Sequence, residues 1–235
     1  MTEFAPGIDP TRHLLQFDPN VFADTRVDVI GCGAVGARIA MELGCFGISN
    51  LHLWDGDRIE SHNVANQRPY VQADLGKPKV EALANHLEAA TLRRPQLHPQ
   101  FLEEPTRLGR VVFLAVDTMA TRRKIFDDSL HLKFDTDYVI EVRMGVDELR
   151  VYGFNPRDRN QVALWRESLS DDKDTKESVC QTQTTVGDTA SITAGLAVAR
   201  FRHWYRREMA RDPAYAAALP VEQIITLRPF FACAN

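Results

Sequence analysis

The first half of the chain alternates short apolar runs with segments in which apolar residues recur every three or four positions. The continuous run RVVFLAVD, residues 110–117, is typical of a strand buried within a parallel sheet. Runs at 26–31 and 50–55 predict two more strands, and the run at 97–102 predicts a weaker one because it contains Pro99. This alternation predicts an α/β fold, a Rossmann-like and mostly parallel sheet flanked by helices.

Two segments of the first half have a clear helical period. GARIAMELGCFG, residues 36–47, predicts a helix that ends at Gly44 or Gly47. GKPKVEALANHLEAA, residues 76–90, predicts a second helix with Pro78 at its first position. Crossover helices of this kind connect strands that run in the same direction.

The second half of the chain changes character. Two strand-like runs at 137–145 and 147–156 are separated by a short turn, which predicts antiparallel strands added beside the parallel sheet. A short helix is predicted over 121–130, and a final strand over 221–231. The fold class is therefore mixed, with a parallel first half and an antiparallel addition.

A polar, charged segment, residues 166–188, separates the antiparallel strands from the last long helix. We expect it to be a mobile crossover loop, and loops of this length inside compact domains are commonly functional. The helix that follows is predicted over 189–212, with Thr189 or Asp188 as its cap.

The stretch GCGAVG lies between the first strand and the first helix and contains Gly31, Gly33 and Gly36. Glycines at these positions allow a tight turn and a close backbone approach, and the helix that follows presents N–H groups to an anion. Asp55 ends the next strand, where an acidic side chain usually accepts hydrogen bonds from ribose hydroxyls. A phosphate-bearing nucleotide is predicted, but NAD and ATP fit these residues equally well.

At 235 residues the chain is long enough for one large α/β domain over 1–235, with an N-terminal arm over 1–26. A formal net charge of −4 gives no general field for nucleic acid, which makes a nucleic-acid partner an unfavoured expectation. The basic run 200–208 is interpreted as a solvated helix face. No apolar segment approaches the ~20 residues that span a bilayer, and no signal peptide is recognisable, so a cytoplasmic protein without membrane contact is expected.

The four cysteines stand apart from one another, with no CxxC pair, so the sequence predicts neither a zinc site nor a disulfide framework. Cys32 lies inside the glycine turn and Cys45 on the first helix, where a small buried thiol is the ordinary expectation.

The sequence after the second strand, DGDRIESHNVANQRPYVQADLGKPKVEAL, resembles the ThiF/MoeB/HesA superfamily, which includes the adenylating domains of ubiquitin-activating enzymes. The apolar strand that ends at Asp117, with Arg122 five positions later, is similar to another element of that family. The likeness covers roughly residues 27–201 and is more specific than a glycine motif alone. The family pattern is matched in order by Asp55, Asp57, Ile59, Asn63, Gln67, Gly76 and Lys79.

The resemblance implies ATP and Mg²⁺ as cofactors. It implies that Asp55 holds the ribose, that Lys79 and Asn63 contact the phosphates, and that Asp117 binds Mg²⁺, with Asp57 and Gln67 beside them. The implied reaction is adenylation of the C-terminal carboxylate of a small ubiquitin-like or sulfur-carrier protein that ends in glycine, with release of pyrophosphate. A homodimer is implied as well. A peptide terminus or a modified tRNA nucleoside is an alternative acceptor within the superfamily.

One position departs from the family pattern, because Asn66 stands where an arginine usually precedes Gln67. The nearest arginines are Arg68 and Arg58, and Arg12 is a further candidate that would act from a partner subunit. The departure keeps open a non-catalytic, binding-only relative. A nicotinamide-dependent oxidoreductase is the other alternative, although it leaves the GKPK segment unexplained.

Cys180 matches the position that in ThiF-type members attacks the acyl-adenylate or forms a persulfide-linked adduct. In MoeB-type members the matching cysteine has no essential part, and both roles stay open. A thiol is nucleophilic only as the thiolate, and the nearest cations in sequence are Lys173 and Lys176.

Overall fold

The computed structural model describes residues 8–169, 186–217, 219–228 and 230–234. Within them, one eight-stranded sheet has the order β3-β2-β1-β4-β5-β6-β7-β8. The first five strands in this order are parallel, and β6, β7 and β8 are added antiparallel. The strands are β1 (Val27–Ile30), β2 (Leu51–Trp54), β3 (Gln96–His98), β4 (Val111–Leu114), β5 (Tyr138–Met144), β6 (Glu148–Phe154), β7 (Glu222–Leu227) and β8 (Phe230–Ala234).

Helices cover both faces of the sheet, so the predicted fold class is confirmed. One buried cluster joins a face of the sheet to α1, α3 and α6, and a second joins the opposite face to α4 and α5. The α-helices are α1 (Gly36–Phe46), α2 (Ser61–Asn66), α3 (Lys79–Thr91), α4 (Met119–Ile125), α5 (Arg159–Glu167) and α6 (Gly187–Trp204). A π-helical turn extends α4 over Phe126–Leu130, and another extends α6 over Tyr205–Met209.

Several predicted boundaries need correction. The run 221–231 is not one final strand but the start of a hairpin, in which β7 and β8 pair with each other. Helix α6 begins at Gly187 with Val186 as its cap, so neither Thr189 nor Asp188 occupies the predicted cap position. Pro78 is the cap of α3 rather than its first residue. Helix ends are where sequence patterns are least precise, because capping residues and first-turn residues favour the same amino acids.

Two helices were not predicted at all. Helix α2 lies in the polar stretch after Asp57, and α5 lies directly after the antiparallel pair β5–β6. The cap of α5 is Asp158, whose side chain accepts hydrogen bonds from the N–H groups of Asn160 and Gln161. Both helices are short and mostly polar, so helical periodicity gave little signal.

The prediction of a solvated face for the basic run 200–208 is wrong at Arg200. Its side chain is buried and donates hydrogen bonds to the Tyr138 hydroxyl, to the carbonyl of Gly153 and to the Gln223 side chain. Arg200 thereby connects α6 to β5, β6 and β7. A buried arginine is tolerated because several partners share its donors.

The N-terminal segment contributes to the core, since Phe17 and Phe22 are fully buried against Phe201 and Tyr205 of the last helical region. Within the described part of the chain, no helix combines the length and apolar character that crossing a membrane requires.

Candidate nucleotide site

The candidate site lies at the carboxyl ends of the three central strands. Because Ile30 is in register with both Trp54 and Leu114, β1, β2 and β4 end at the same level. The residues that follow each strand, including the glycine turn, are therefore brought to one edge of the sheet. In open α/β sheets this edge is where ligands bind.

Gly31 opens the turn with a φ of +90°, a conformation that side chains disfavour. A Cβ on Gly31 would lie 2.5 Å from the carbonyl oxygen of Ala115, directly after β4. A Cβ on Gly36 would lie 1.8 Å from the carbonyl oxygen of Gly31. These two glycines are therefore required by the turn itself.

Gly33 differs from its neighbours, because a Cβ there would meet no atom of the described residues within 4 Å. The space beside Gly33 is open, and no side chain caps the first turn of α1. Backbone N–H groups at an uncapped helix start have no partner within the helix, so an anion can accept hydrogen bonds from them. The helix dipole also favours a negative charge at this end. The turn thus offers the geometry that a phosphate group fits.

Asp55 connects the glycine turn to the end of β2. Its Oδ2 accepts a hydrogen bond from the backbone N–H of Cys32 at 2.7 Å, and its Oδ1 accepts one from the N–H of Asp57 at 2.8 Å. Burial raises the pKa of Asp55 above its ordinary 3.8, although the charge of Lys79 and these two hydrogen bonds act in the opposite direction. The carboxylate retains acceptor capacity for further donors, such as ribose hydroxyls.

Lys79 begins α3, and its ammonium lies 2.7 Å from Oδ2 of Asp57. The Lys79 side chain is 8% exposed and that of Asp57 is 52% exposed. A second contact, from the Lys79 backbone N–H to the Asp57 carbonyl at 2.9 Å, fixes the start of the helix. Arg58 points elsewhere and donates to the Gly76 carbonyl at 2.7 Å. The structure therefore places a nearly buried cation beside the turn, held by a carboxylate that faces solvent.

Sequence reasoning missed Tyr70, which links the site elements. Its hydroxyl donates to the Cys32 carbonyl at 2.7 Å and lies 3.4 Å from the Lys79 carbonyl. The side chain is fully buried, and burial raises the pKa of Tyr70 well above 10.0. A signal was available, because Tyr70 is the one aromatic residue between Asp55 and Lys79.

The residues of α2 and its end show different environments. Asn63 is buried and its Oδ1 accepts from the Glu60 N–H, so it caps the helix. Gln67 ends the helix, and its side-chain oxygen is buried without a hydrogen-bond partner among the described residues. Arg68 is exposed, and Arg12 is exposed at the N-terminal segment. An unmet amide at Gln67 leaves a hydrogen-bonding group that a ligand or water would satisfy.

Asp117 is exposed and lies three residues beyond the end of β4. Its backbone carbonyl accepts a hydrogen bond from Nη1 of Arg122 at 3.1 Å. The Nε of Arg122 lies 2.6 Å from Glu141, which also pairs with Arg143 at 2.8 Å. Burial acts to raise the pKa of Glu141, but Arg143 and Arg122 outweigh it and the pKa lies below the ordinary 4.5. This buried cluster, which the sequence did not predict, supports the backbone at Asp117.

In the described ranges no three histidine, cysteine or acidic side chains gather as a metal-binding group. Mg²⁺ commonly takes one or two carboxylates together with substrate phosphates rather than an all-protein cage. Asp117 at the glycine-turn edge fits that donor set, since phosphates on the turn would supply further oxygens.

Cys32 and Cys45 differ in their exposure to solvent. Cys32 is buried, as expected, and burial raises the pKa of its thiol well above 9.0. Cys45 is exposed, so the expectation of a buried thiol is wrong there. Its position on α1 turns away from the packed face of the helix. Cys180 lies outside the described residues, as do Lys173 and Lys176.

Aligned strand ends, a glycine turn that opens a helix and an acidic residue after the neighbouring strand are features of the Rossmann-like α/β fold. A family model described as the ThiF family matches residues 20–218. The chain therefore belongs to the ThiF family, and the resemblance seen in the sequence is confirmed.

Relatives in several organisms match part of the chain. An adenylyltransferase and sulfurtransferase MOCS3 of Oryza sativa is 36% identical over 78 residues, which is 31% of this chain and 18% of that protein. A NEDD8-activating enzyme E1 catalytic subunit of Arabidopsis thaliana is 39% identical over 62 residues, 26% of this chain and 14% of that one. The matched stretches thus span less than a fifth of either relative.

Solved structures share the fold. MccB of E. coli, crystallised with ATP, superimposes with a TM-score of 0.66 at 14% identity, covering 92% of this chain and 65% of that one. PaaA gives a TM-score of 0.64 at 17% identity, covering 100% of this chain and 76% of that one. At these identities the likeness concerns the architecture.

Proposed function

We propose that this protein is an ATP-dependent adenylating enzyme that activates the C-terminal carboxylate of a small ubiquitin-like or sulfur-carrier protein. The observation that carries the proposal is that Asp55 accepts a hydrogen bond from the Cys32 N–H of the glycine turn, and that the Lys79 ammonium lies near enough for its charge to act on both residues, in a chain of the ThiF family. The named relatives are adenylyltransferases and a NEDD8-activating enzyme, and the MccB structure contains ATP, which agrees with this substrate class.

The proposed chemistry requires charge neutralisation more than proton transfer. A carboxylate oxygen of the carrier attacks the α-phosphorus of ATP, and the bond from that phosphorus to the bridging oxygen breaks. Pyrophosphate leaves with the electron pair, and an acyl-adenylate is formed. Because a C-terminal carboxylate is ionised at neutral pH, no general base is needed. Positioned cations and backbone donors lower the barrier by stabilising the charge on the phosphates.

Each site residue has a part in this proposal. Asp55 accepts hydrogen bonds from the ribose, and the N–H groups around Gly33 hold phosphate oxygens. Lys79 exchanges its solvent-facing partner, Asp57, for the phosphates. Asp117 holds Mg²⁺, which supplies further neutralisation of phosphate charge when bound. Beside the phosphates lie Asn63, Gln67 and Arg68, whose contributions we expect to be smaller.

Two finer parts of the proposal concern the carrier and the assembly. Transfer of the acyl group to Cys180 would form a thioester as its thiolate attacks the acyl carbon and AMP leaves. The carrier ends in glycine, as the resemblance to the family implies. A homodimer would allow Arg12 of one subunit to approach the site of the other.

ATP–pyrophosphate exchange, measured with a panel of carriers that end in diglycine, tests the proposal. We expect carrier-dependent exchange in the wild type and a loss of about 10²-fold or more in both Lys79→Ala and Asp117→Ala. Lys77→Ala is the matched control. Lys77 is two residues away but pairs with Asp74 at 3.1 Å, outside the turn, and should keep its rate within about twofold.

Three outcomes would contradict the proposal in different ways. Unchanged exchange in both Lys79→Ala and Asp117→Ala would remove these residues from the reaction. ATP binding without exchange for any carrier would favour the binding-only relative, for which Asn66 is the specific sequence observation. Tight NADH binding without ATP binding, measured by calorimetry, would favour the oxidoreductase.

A further inference from the structure

Arg38 lies beside the glycine turn, and the sequence did not single it out. It is the third residue of α1, directly after the glycine turn. Its Nη1 donates to the carbonyl of Asn66 at 2.9 Å and to the carbonyl of Ala34 inside the turn. Its Nε donates to Ser191 on α6 at 3.1 Å. One guanidinium therefore joins the glycine turn, the end of α2 and the start of α6.

The charge around Arg38 is not balanced. Neither Arg38 nor Arg68 forms an ion pair with a carboxylate in the described ranges of the chain, although Arg26, Lys79 and many other cations do. Burial lowers the pKa of Arg38 below its ordinary value, and the nearby charge of Arg68 lowers it further. Two adjacent guanidinium groups without an acidic partner repel each other, and an anion between them would remove that repulsion.

The donors of Arg38 are only partly used. Its Nε and Nη1 carry the contacts above, whereas Nη2 donates to no atom of the described residues. The same Nη2 would lie 3.4 Å from a Cβ on Gly187, the first residue of α6. Helix α6 starts there without a side-chain cap, so a second uncapped helix start faces this guanidinium. Free donors and positive helix ends converge beside the glycine turn.

We propose that Arg38 binds the phosphates of the nucleotide through Nη2, in the place that a guanidinium from position 66 would otherwise occupy. The proposal rests on the adenylating function given above and adds a residue to it. Arg38 reaches the space above Asn66 because its Nη1 already contacts the carbonyl of that residue. A planar guanidinium with two free N–H groups on one side suits phosphate oxygens better than an ammonium does.

Calorimetric titration of the full chain with ATP, and separately with adenosine, tests the role of Arg38. We expect Arg38→Gln to weaken ATP binding at least 10-fold while adenosine binding changes less than twofold, because adenosine has no phosphates. Arg38→Lys should recover part of the lost ATP affinity. Asn66→Arg, placed in the Arg38→Gln background, should restore ATP affinity to within about threefold of the wild type.

Arg159→Gln is the matched control, since Arg159 is an exposed arginine on α5 that forms no ion pair within the described ranges. It removes the same charge and should leave both affinities unchanged. Equal ATP affinity in Arg38→Gln and Arg159→Gln would overturn the proposal, as would an equal loss of ATP and adenosine affinity, or no recovery by Asn66→Arg. If Arg38→Gln does not fold, Arg38→Lys decides, with a threefold loss specific to ATP expected. A wild type that binds no ATP would contradict the adenylating function itself.

Discussion

Charged side chains in the two halves of the sheet differ in how exposed their partners are. At the carboxyl edge of β1, β2 and β4, Lys79 is held by an Asp57 whose side chain is half-exposed, and Arg38 has no acidic partner in the described ranges. On β5, the Glu141 side chain is 0% exposed, and the side chains of both arginines that pair with it are 3% exposed. A charged side chain whose partner is exposed can exchange that partner for a ligand at a small cost in free energy. A charged side chain that is buried together with its partners cannot, because breaking a buried ion pair costs several kcal/mol. The first arrangement suits binding and the second suits architecture.

The largest effect is expected where the sealed charges are disturbed. Glu141→Gln removes the carboxylate that, within the described residues, pairs with both Arg122 and Arg143, and it leaves less counter-charge beside two buried guanidinium groups. We expect a loss of about 3–5 kcal/mol in the free energy of unfolding. For a chain of this size that loss lowers the melting temperature by roughly 6–20 °C in a thermal scan.

Glu148→Gln is the control for this comparison. Glu148 pairs with Arg150, two residues further along the same strand β6, at 2.7 Å, but both side chains are partly exposed. The same substitution should therefore cost less than about 1 kcal/mol. Equal losses in the two variants would show that burial does not determine the cost of removing a paired carboxylate. Glu141→Gln should also weaken ATP binding modestly, since Arg122 supports the Asp117 carbonyl.

The same contrast explains which features the sequence could predict. The glycine turn, Asp55 and Lys79 lie within one continuous motif, and each residue type has a local reason to be there. The sealed cluster joins Arg122 of α4, Glu141 of β5 and Trp165 of α5. These positions lie about 20 residues or more apart, and single-sequence patterns carry no information on which distant charges meet.

The fold shows a similar division. Strands buried on both faces and amphipathic helices have strong periods, and the parallel half was predicted almost completely. The β7–β8 hairpin is predicted as one strand because the strand-like run 221–231 continues beyond the end of β7. Arg200 was placed on a solvated face because charge alone gives no sign of the partners that bury it.

A second prediction separates the structural and the binding glycines of the turn. Gly36→Ala places a Cβ 1.8 Å from the Gly31 carbonyl oxygen, so the turn must shift, at a cost of about 1–3 kcal/mol in unfolding free energy. The Cβ of Gly33→Ala meets no atom within 4 Å in the part of the chain that the structure describes, and the variant should change stability by less than about 1 kcal/mol. Chemical denaturation measures both values.

The two glycine variants should agree in one respect. ATP affinity, measured by calorimetry, is expected to fall in both, because Gly36→Ala displaces the backbone N–H groups and Gly33→Ala fills the open space beside them. A Gly33→Ala variant of normal stability and normal ATP affinity would show that the phosphates do not lie on this side of the turn.

The smallest expected effect concerns the β2–β3 edge of the parallel half. Two histidine side chains are hydrogen-bonded to each other there, in contrast to the ion pairs described above. His52 of β2 and His98 of β3 share a hydrogen bond of 3.0 Å, and His98 stacks on Trp54. Burial, followed by the charge of Arg26, lowers the pKa of both imidazoles below 6.5. The unfolded chain therefore takes up protons before the folded chain does, and stability that is complete above about pH 6.5 falls as the pH drops through the lowered values.

The His52→Gln/His98→Gln double variant should lose part of this acid sensitivity. Partial exposure screens the effect, so we expect a difference of roughly 1 kcal/mol or less between pH 7.5 and pH 5.5, seen as a smaller drop in melting temperature than in the wild type. His62→Gln, at an exposed position on α2, is the control and should keep the wild-type drop.

Because no histidine lies in the Glu141 cluster, acid should first increase hydrogen exchange in the β3 amides, before those of β5. Exchange that increased first in β5 would place the acid-sensitive region at the Glu141 cluster instead.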